Sequence, residues 1–180
     1  MFSAQLPGTP VGTVKLWATT EGLRRLDFRK GPDLALPGER ISADPAPPIV
    51  REALDALKGY FRGENRALDI PLDLGAITDF QKRVFERLRA IPYGQVATYG
   101  DVARSLDLGP AGARAVGQAV GANPVAIVVP CHRVVASTGA LHGYSGGLGR
   151  KAALLRIEGI EVDGAEAGSK VHPEVLRLPL

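Results

Sequence analysis

A chain of 180 residues is long enough to bury one sizeable core, or a small domain joined to a medium one. Its apolar content of 45% and charged content of 23% are typical of a soluble globular protein, and no stretch approaches the roughly 20 apolar residues of a membrane span. The net charge of +3 permits nucleic-acid binding without requiring it, and we expect no membrane partner.

The chain holds one cysteine, Cys131, and three scattered histidines. A single cysteine cannot form an internal disulfide or a cysteine-rich zinc site, so we expect no bound metal and a reducing, cytoplasmic compartment. The N-terminal stretch MFSAQLPGTPVG lacks the basic and apolar regions of a signal peptide, which agrees with that expectation.

The first half of the chain predicts a small unit with a hairpin and a helix. Residues 12–29 alternate apolar and polar side chains around TTEG, which indicates an antiparallel hairpin. A Pro/Gly-rich loop is expected over 31–48, followed by a helix over 49–65 that ends near Gly63. One face of that helix carries the apolar residues Val50, Leu54, Leu57 and Phe61. We interpret residues 67–74 as a strand or an extended linker.

Helical patterns dominate the second half. A helix that begins at Thr78 or Asp79 carries one apolar stripe, formed by Phe80, Val84, Leu88 and Ile91. Residues 98–124 predict two short helices separated by LGPAG, which is the pattern of a helix-turn-helix.

The segments around the cysteine are shorter. The run VAIVV, residues 125–129, predicts a short buried strand between two prolines. A glycine-rich loop over 137–149 leads to a final helix over 150–159, and the polar tail beyond residue 160 is expected to be loosely packed.

The second helix of the pair, GARAVGQAVGA, carries one charged side chain, Arg114, among glycine and alanine. A helix that reads the major groove normally presents several long polar side chains. Two interpretations stay open from the residues alone. The helix is buried against the core, or it lies close to a nucleic-acid groove with Arg114 as its only long side chain.

Cys131 also has two interpretations, as an inert buried thiol or as a reactive one beside a base. Because adjacent side chains diverge, Cys131 and His132 would meet through a bridging water rather than directly. Glu158 is one candidate for the acid that orients such a base. The flexible loop with Tyr144 and Ser145 follows, and this set favours attack by sulfur on an electrophile carried by DNA.

Several motifs occur together in a recognisable order. The chain reads ARAVGQAVGANPVAIVVPCHRVV, then GALHGYSGGLGRKAALLRIEG, and before both DFQKRVFERLRAIPYGQVATYGDVA. Through these blocks the chain resembles the O6-alkylguanine-DNA alkyltransferase family over residues 78–160. The N-terminal half is similar only through its hairpin and the LKGYFRGE helix.

The resemblance implies an α+β fold. A small N-terminal α/β domain with the antiparallel hairpin would span 1–75. A mainly helical domain would span 76–163, with a (winged) helix-turn-helix and a short buried strand leading to Cys131. Residues 164–180 would form a tail.

The implied function is direct-reversal DNA repair. An alkyl group, such as methyl, would pass irreversibly from O6-alkylguanine in duplex DNA to Cys131, once per molecule, with O4-alkylthymine as a further candidate substrate. The duplex would be bound from the minor groove and the damaged base flipped out. No cofactor is implied, and we expect a monomer.

The resemblance also assigns roles to single residues. Cys131 would accept the alkyl group, His132 would deprotonate it through a water, and Glu158 would orient His132. Asn123 would brace the active-site turn, and Tyr99 would donate a proton to guanine N3.

Substrate and DNA contacts follow in the same way. Tyr144 and Ser145 would contact the O6 side of the lesion, the carbonyls of Cys131 and Val134 would accept from the exocyclic amine, and Lys151 would support the pocket electrostatically. Arg133 is expected in a structural salt bridge. Arg114 would fill the space of the flipped base, and the remaining DNA-binding positions would be Tyr99, Ala115, Gly117 and Gln118.

Three other functions compete with this one. A non-catalytic alkyltransferase-like protein binds lesions but lacks the cysteine that is present here. A plain helix-turn-helix regulator would leave PCHR and YSGGL without a role. A cysteine hydrolase would turn over repeatedly, whereas alkyl transfer to sulfur ends after one event.

Overall fold

The computed structural model describes residues 1–28, 47–109 and 111–172, and the chain divides into two compact units, Met1–Ala76 and Ile77–Leu180. Each unit has its own small sheet. The mixed α+β architecture expected from the sequence is confirmed.

Parts of four predictions lie outside the described residues. They are residue 29 at the end of the hairpin, most of the loop over 31–48, the LGPAG connection at Pro110, and residues 173–180 of the tail. Within the described part of the chain, none of the helices has the length and apolar character needed to cross a membrane.

An antiparallel sheet and one helix form the first unit. The strands β1 (Phe2–Thr9), β2 (Gly12–Ala18) and β3 (Leu23–Asp27) lie in sequence order, and the helix α1 (Pro48–Phe61) contacts all three. The pairing of β2 with β3 confirms the predicted hairpin, and α1 confirms the predicted helix. Residues 67–74 are largely extended, with one bridge from Leu72 to β3.

Two details of this unit differ from the sequence prediction. The sequence does not predict β1, because an edge strand interrupted by Pro7 and a register shift after Leu6 lacks a clean alternation. The buried face of α1 is also rotated slightly, since Ala53 and Tyr60 are buried where Leu54 and Phe61 were expected.

The second unit is mainly helical, as predicted. Its described residues form the helices α2 (Asp79–Arg89), α3 (Tyr99–Ser105), α4 (Gly112–Gly121) and α5 (Leu148–Ile157). Thr78 caps α2 through a reciprocal pair of hydrogen bonds with Gln81, which fixes the start of the helix. Both α2 and α3 contact α4, and the pair α3–α4 is the predicted helix-turn-helix.

A short parallel pair of strands brings the cysteine segment to the helix-turn-helix. The strand β4 (Ala97–Thr98) directly precedes α3 and pairs with β5 (Val134–Val135). The 3₁₀ turn Cys131–Arg133 directly precedes β5. The parallel register pairs Thr98 with Val135, so α3 begins beside the strand that follows the cysteine turn.

The strand predicted over residues 125–129 is wrong, although the segment is buried. It folds as a tight turn in which Ile127 has φ +73°, and Val128 N donates to Ala126 O while Val129 N donates to Val125 O. An apolar β-branched run indicates burial, but the same run fits a strand or a buried turn. A non-glycine residue in the left-handed region is strained and is held here by its surroundings.

The loosely packed tail is also wrong for the residues that the structure describes. Val171 is 2% exposed and packs with Val96, Leu141 and Leu155 of the second unit. Backbone hydrogen bonds join Leu141 N to Ser169 O and Val171 N to Gly139 O. Two apolar residues of the tail, Val162 and Val171, pack on the core although most of their neighbours in the sequence are polar.

Candidate active site

The thiol lies at the start of the 3₁₀ turn, where Cys131 is 3% exposed. The Asn123 side chain donates from Nδ2 to Cys131 Sγ at 3.0 Å and to Val129 O at 2.8 Å. Its Oδ1 accepts from Val125 N at 3.0 Å. Asn123 thus connects both ends of the buried turn to the sulfur. The sequence predicts this bracing position, and its part in the chemistry stays a prediction.

Next to the thiol, His132, Arg133 and Glu158 form a buried ionic cluster. His132 Nε2 lies 2.7 Å from Glu158 Oε1. Arg133 donates from Nε to Oε2 at 2.8 Å and from Nη2 to Oε1 at 3.0 Å. Gly94 N donates to Oε2 at 3.3 Å. Glu158, the residue that directly follows α5, therefore accepts four hydrogen bonds while it is removed from solvent. The structural salt bridge predicted for Arg133 is confirmed.

The charges of this cluster determine the state of the histidine. Burial alone would raise the pKa of Glu158, but the hydrogen bonds and charges of His132 and Arg133 lower that pKa to about 2. Burial lowers the pKa of His132, against the opposing effect of Glu158, so the imidazole is neutral at neutral pH. An ionised carboxylate only accepts hydrogen bonds, which assigns the proton to His132 Nε2 and leaves Nδ1 as the basic nitrogen.

The resting sulfur is a protonated thiol. Burial raises the pKa of Cys131, and the Asn123 hydrogen bond and the Lys151 charge oppose that rise only in part. Lys151 is itself fully buried, which lowers its pKa to about 8. Its Nζ donates to Val134 O at 2.6 Å and to His142 O at 3.1 Å. Lys151 therefore joins the strand after the cysteine to the glycine-rich loop.

A groove of about 920 Å³ lies between one face of α4 and the glycine-rich loop. Tyr144 and Tyr99 both line it, and both interact electrostatically with Cys131. Burial, together with the charge that Cys131 can carry, raises the pKa of both tyrosines. Both hydroxyls are therefore protonated donors at neutral pH. Ser145, predicted beside Tyr144, lines the same groove.

The helix α4 has two faces. One face is buried against the core, as the first interpretation expected, and the other face lines the groove of the protein. The buried face carries Gly112, Val116, Ala119 and Val120. A Cβ at Gly112 would lie 2.4 Å from Leu108 Cβ, so this position needs glycine. The opposite face lines the groove with the predicted residues Arg114, Gly117 and Gln118.

Ala115 is the one predicted DNA-binding position that does not line the groove. Successive helical residues are turned by about 100°, which carries Ala115 past the edge of the face formed by Arg114 and Gln118. Sequence reasoning missed Ala113 and Gly121, which line the groove on the same face as Gly117. Their four-residue spacing in the printed sequence is the signal that could have found them.

His142, Ser137 and Gly94 were also missed. The first two line the groove through the loop that follows β5, and Gly94 reaches Glu158 from the turn after α2. No local pattern marks such contacts. Among residues 1–28, 47–109 and 111–172, no group of three or more His, Cys, Asp or Glu side chains is arranged to hold a metal ion.

The low pKa of Glu158 predicts a pH-dependent contribution to stability. Because the folded-state pKa of about 2 lies below the usual glutamate value of 4.5, the contribution is complete above that usual value and is lost as the pH falls towards 2. We expect Glu158→Gln to lower the free energy of unfolding by on the order of 3 kcal/mol near neutral pH. The difference from the unsubstituted protein should shrink as the pH falls through that window.

Denaturant unfolding at a series of pH values measures this difference. The matched control is Glu86→Gln, an exposed position on α2, which should change stability by less than about 0.5 kcal/mol. A Glu158→Gln difference that is independent of pH would contradict the assignment of an ionised, hydrogen-bonded carboxylate.

Comparison with known proteins agrees with the resemblance seen in the motifs. Residues 79–160 match the family described as 6-O-methylguanine DNA methyltransferase, DNA binding domain, and residues 5–74 match its ribonuclease-like domain. The methylated-DNA–protein-cysteine methyltransferase of Mycobacterium tuberculosis is 50% identical over 114 residues, which cover 63% of this chain and 68% of that protein. The protein of the same name from Methanosarcina acetivorans is 40% identical over 152 residues, covering 84% of this chain and 94% of that one.

A solved structure supports the same relationship at the level of the fold. The crystal structure of Mycobacterium tuberculosis OGT in complex with DNA matches with a TM-score of 0.76 and 40% sequence identity, covering 88% of this chain and 92% of that chain. The family domains, the curated relatives and the fold therefore agree: the chain belongs to the 6-O-methylguanine DNA methyltransferase family.

Proposed function

We propose that the protein repairs DNA by direct reversal, moving a methyl or other alkyl group from O6 of guanine in a duplex onto Cys131. The observation that carries the proposal is a buried thiol beside two tyrosines that line the groove, next to a histidine whose Nε2 is held by a buried carboxylate. The names of the curated relatives and the DNA complex of a similar protein support the same reaction and the same partner.

The first step is formation of the thiolate. The Cys131 proton passes through a water molecule to Nδ1 of neutral His132, which then carries a positive charge beside ionised Glu158. Asn123 Nδ2 and the Lys151 ammonium stabilise the sulfur anion. Because the resting thiol has a raised pKa, the protein is unreactive towards general electrophiles until a substrate is held in place.

The second step is transfer. The Sγ electron pair attacks the alkyl carbon, a carbon–sulfur bond forms, and the carbon–O6 bond breaks with its electrons remaining on guanine. Tyr99 donates its hydroxyl proton to guanine N3, and the proton held by His132 returns through solvent to Tyr99. The proton lost by the thiol thus equals the proton gained by guanine. A thioether offers no good leaving group, so each molecule reacts once.

The damaged base would be recognised inside the groove. Tyr144 and Ser145 line its loop side and would contact the O6 substituent. The carbonyls of Cys131 and Val134 would accept from the exocyclic amine. Val134 O already accepts from Lys151, and Cys131 O accepts from Val134 N, so each offers its second lone pair.

The groove face of α4 suits the minor groove of a duplex. Ala113, Gly117 and Gly121 form a row of small residues that lets the backbone approach closely, and Gln118 flanks them. Arg114 is exposed at this face and would occupy the space of the flipped base. Ala115 would contact the backbone beside that face.

Two further proposals concern the state of the protein in the cell. All the site side chains come from one chain, so we expect a monomer, which sedimentation of the protein with and without duplex tests. A free thiol that must stay reduced suits the cytoplasm, which cell fractionation tests.

A lesion-binding protein without transfer activity has no use for the thiol and its histidine.

Intact-mass measurement tests the proposed transfer. The protein is incubated with an excess of a duplex that contains one O6-methylguanine, and its mass is recorded over time. We expect the gain of a single methyl group, located on Cys131, and no further reaction. The Cys131→Ala variant should bind the same duplex and gain nothing. Repeated turnover, or binding without any mass gain, would contradict alkyl transfer.

The role of Arg114 has its own test. If it fills the space of the flipped base, Arg114→Ala should slow repair in a duplex about 10- to 100-fold, because unstacking costs a few kcal/mol. Reaction with the free alkylated base should change little. Arg87→Ala removes the same charge from an exposed position of α2 and serves as the control. Equal slowing with duplex and free base would argue against a flipping role.

A further inference from the structure

The turn between α2 and β4, with the sequence IPYG over residues 91–94, lies against the buried ionic cluster. Ile91 O accepts from Arg133 Nη1 at 2.6 Å. The Tyr93 ring lies under the Arg133 guanidinium, 6.0 Å from its centroid. A turn that in sequence only ends a helix is therefore in contact with the cation of the cluster.

The same turn reaches the carboxylate and the helix end that carries it. Gly94 N donates to Glu158 Oε2 at 3.3 Å, and the Tyr93 hydroxyl donates to Ile157 O at 2.7 Å. Ile157 is the last residue of α5, so this bond fixes the backbone directly before Glu158. Gly94 has φ +78°, and a Cβ there would lie 3.2 Å from Glu158 O. The contact needs glycine for both reasons.

These contacts complete the coordination of the carboxylate. Glu158 Oε1 accepts from His132 and Arg133, and Oε2 accepts from Arg133 and Gly94. In a buried site every donor matters, because the alternative for the charged group is an unsatisfied lone pair. Arg133 fixes the plane of the carboxylate through two parallel hydrogen bonds, and the turn adds a backbone donor and an anchor for the helix end.

We propose that the turn 91–94, through Tyr93 in particular, is a positioning element of the alkyl-transfer reaction. It holds Glu158 where the carboxylate binds the Nε2 proton of His132, so that Nδ1 stays directed to its task as the base. Tyr93 does not touch the reacting atoms and acts through Glu158. The inference rests on the proposed roles of His132 and Glu158 and adds a second layer of residues to them.

The test is the pH dependence of transfer in Tyr93→Phe, which deletes only the hydroxyl. The first-order rate of Cys131 methylation is measured with saturating duplex between about pH 5 and pH 9. His132 faces the charges of Glu158, Arg133 and Lys151, and of these only Glu158 favours its protonated form. A less firmly held Glu158 therefore lowers the pKa of His132. In the pH–rate profile, the acid limb, where the rate falls with pH, moves to lower pH, and the plateau rate falls about three- to tenfold.

The control is Tyr60→Phe, the same deletion at a buried tyrosine of the first unit. It should leave the acid limb and the plateau unchanged. The final extent of methylation counts the active molecules, so partial unfolding lowers that end point and not the position of the limb. Gly94→Ala provides a second variant, for which we expect the same shift and a larger loss of rate.

The position of the acid limb decides the question. If it stays in place in both Tyr93→Phe and Gly94→Ala, the positioning role is overturned, whether or not the rates fall. A further outcome concerns the base itself. If the rate of the unsubstituted protein does not fall at acid pH, or if that fall persists in His132→Ala, then His132 is not the base, and the inference falls with it.

Discussion

The site depends on one buried carboxylate. Glu158 is removed from solvent and stays ionised because the hydrogen bonds and charges of His132 and Arg133 outweigh its burial, and Gly94 N adds a further hydrogen bond. Two of these residues, His132 and Arg133, follow the thiol directly in the chain, so the carboxylate holds the cysteine turn against the end of α5. The same group then defines the tautomer of the histidine, because a carboxylate only accepts. Stability and chemistry are thus carried by one cluster, and a change to Glu158 affects both.

Burial protects the Cys131 thiol, which we propose as the alkyl acceptor. The low dielectric around Cys131 keeps it protonated at rest, and the nearby base, the Asn123 amide and the Lys151 ammonium can stabilise the anion once the proton leaves. The two tyrosines beside Cys131 line a groove that the small-residue face of α4 lines as well. A protein that reacts once benefits from this arrangement, since a thiol that reacted with other electrophiles would be lost for repair.

The parts of this account that depend on local pattern could be predicted from the sequence. The stripe with Val84 and Leu88, the cap at Thr78 and the motif around Cys131 all lie within a few residues of what they determine. Other features depend on packing between distant segments. Gly94 and Glu158 are separated by 64 positions, and no spacing reveals their contact. The buried run over 125–129 failed as a strand because apolar composition reports burial and not backbone direction.

The central claim is that Glu158 holds the Nε2 proton of a neutral His132 and leaves Nδ1 as the base. Nitrogen-15 NMR of the imidazole, in protein labelled at histidine and with His132→Ala to assign the signal, reads this directly. We expect a neutral His132 at pH values near 7, with a protonated Nε2 and an unprotonated Nδ1. In Glu158→Gln that preference should weaken. A proton on Nδ1, or an imidazolium at neutral pH in the resting protein, would contradict the account.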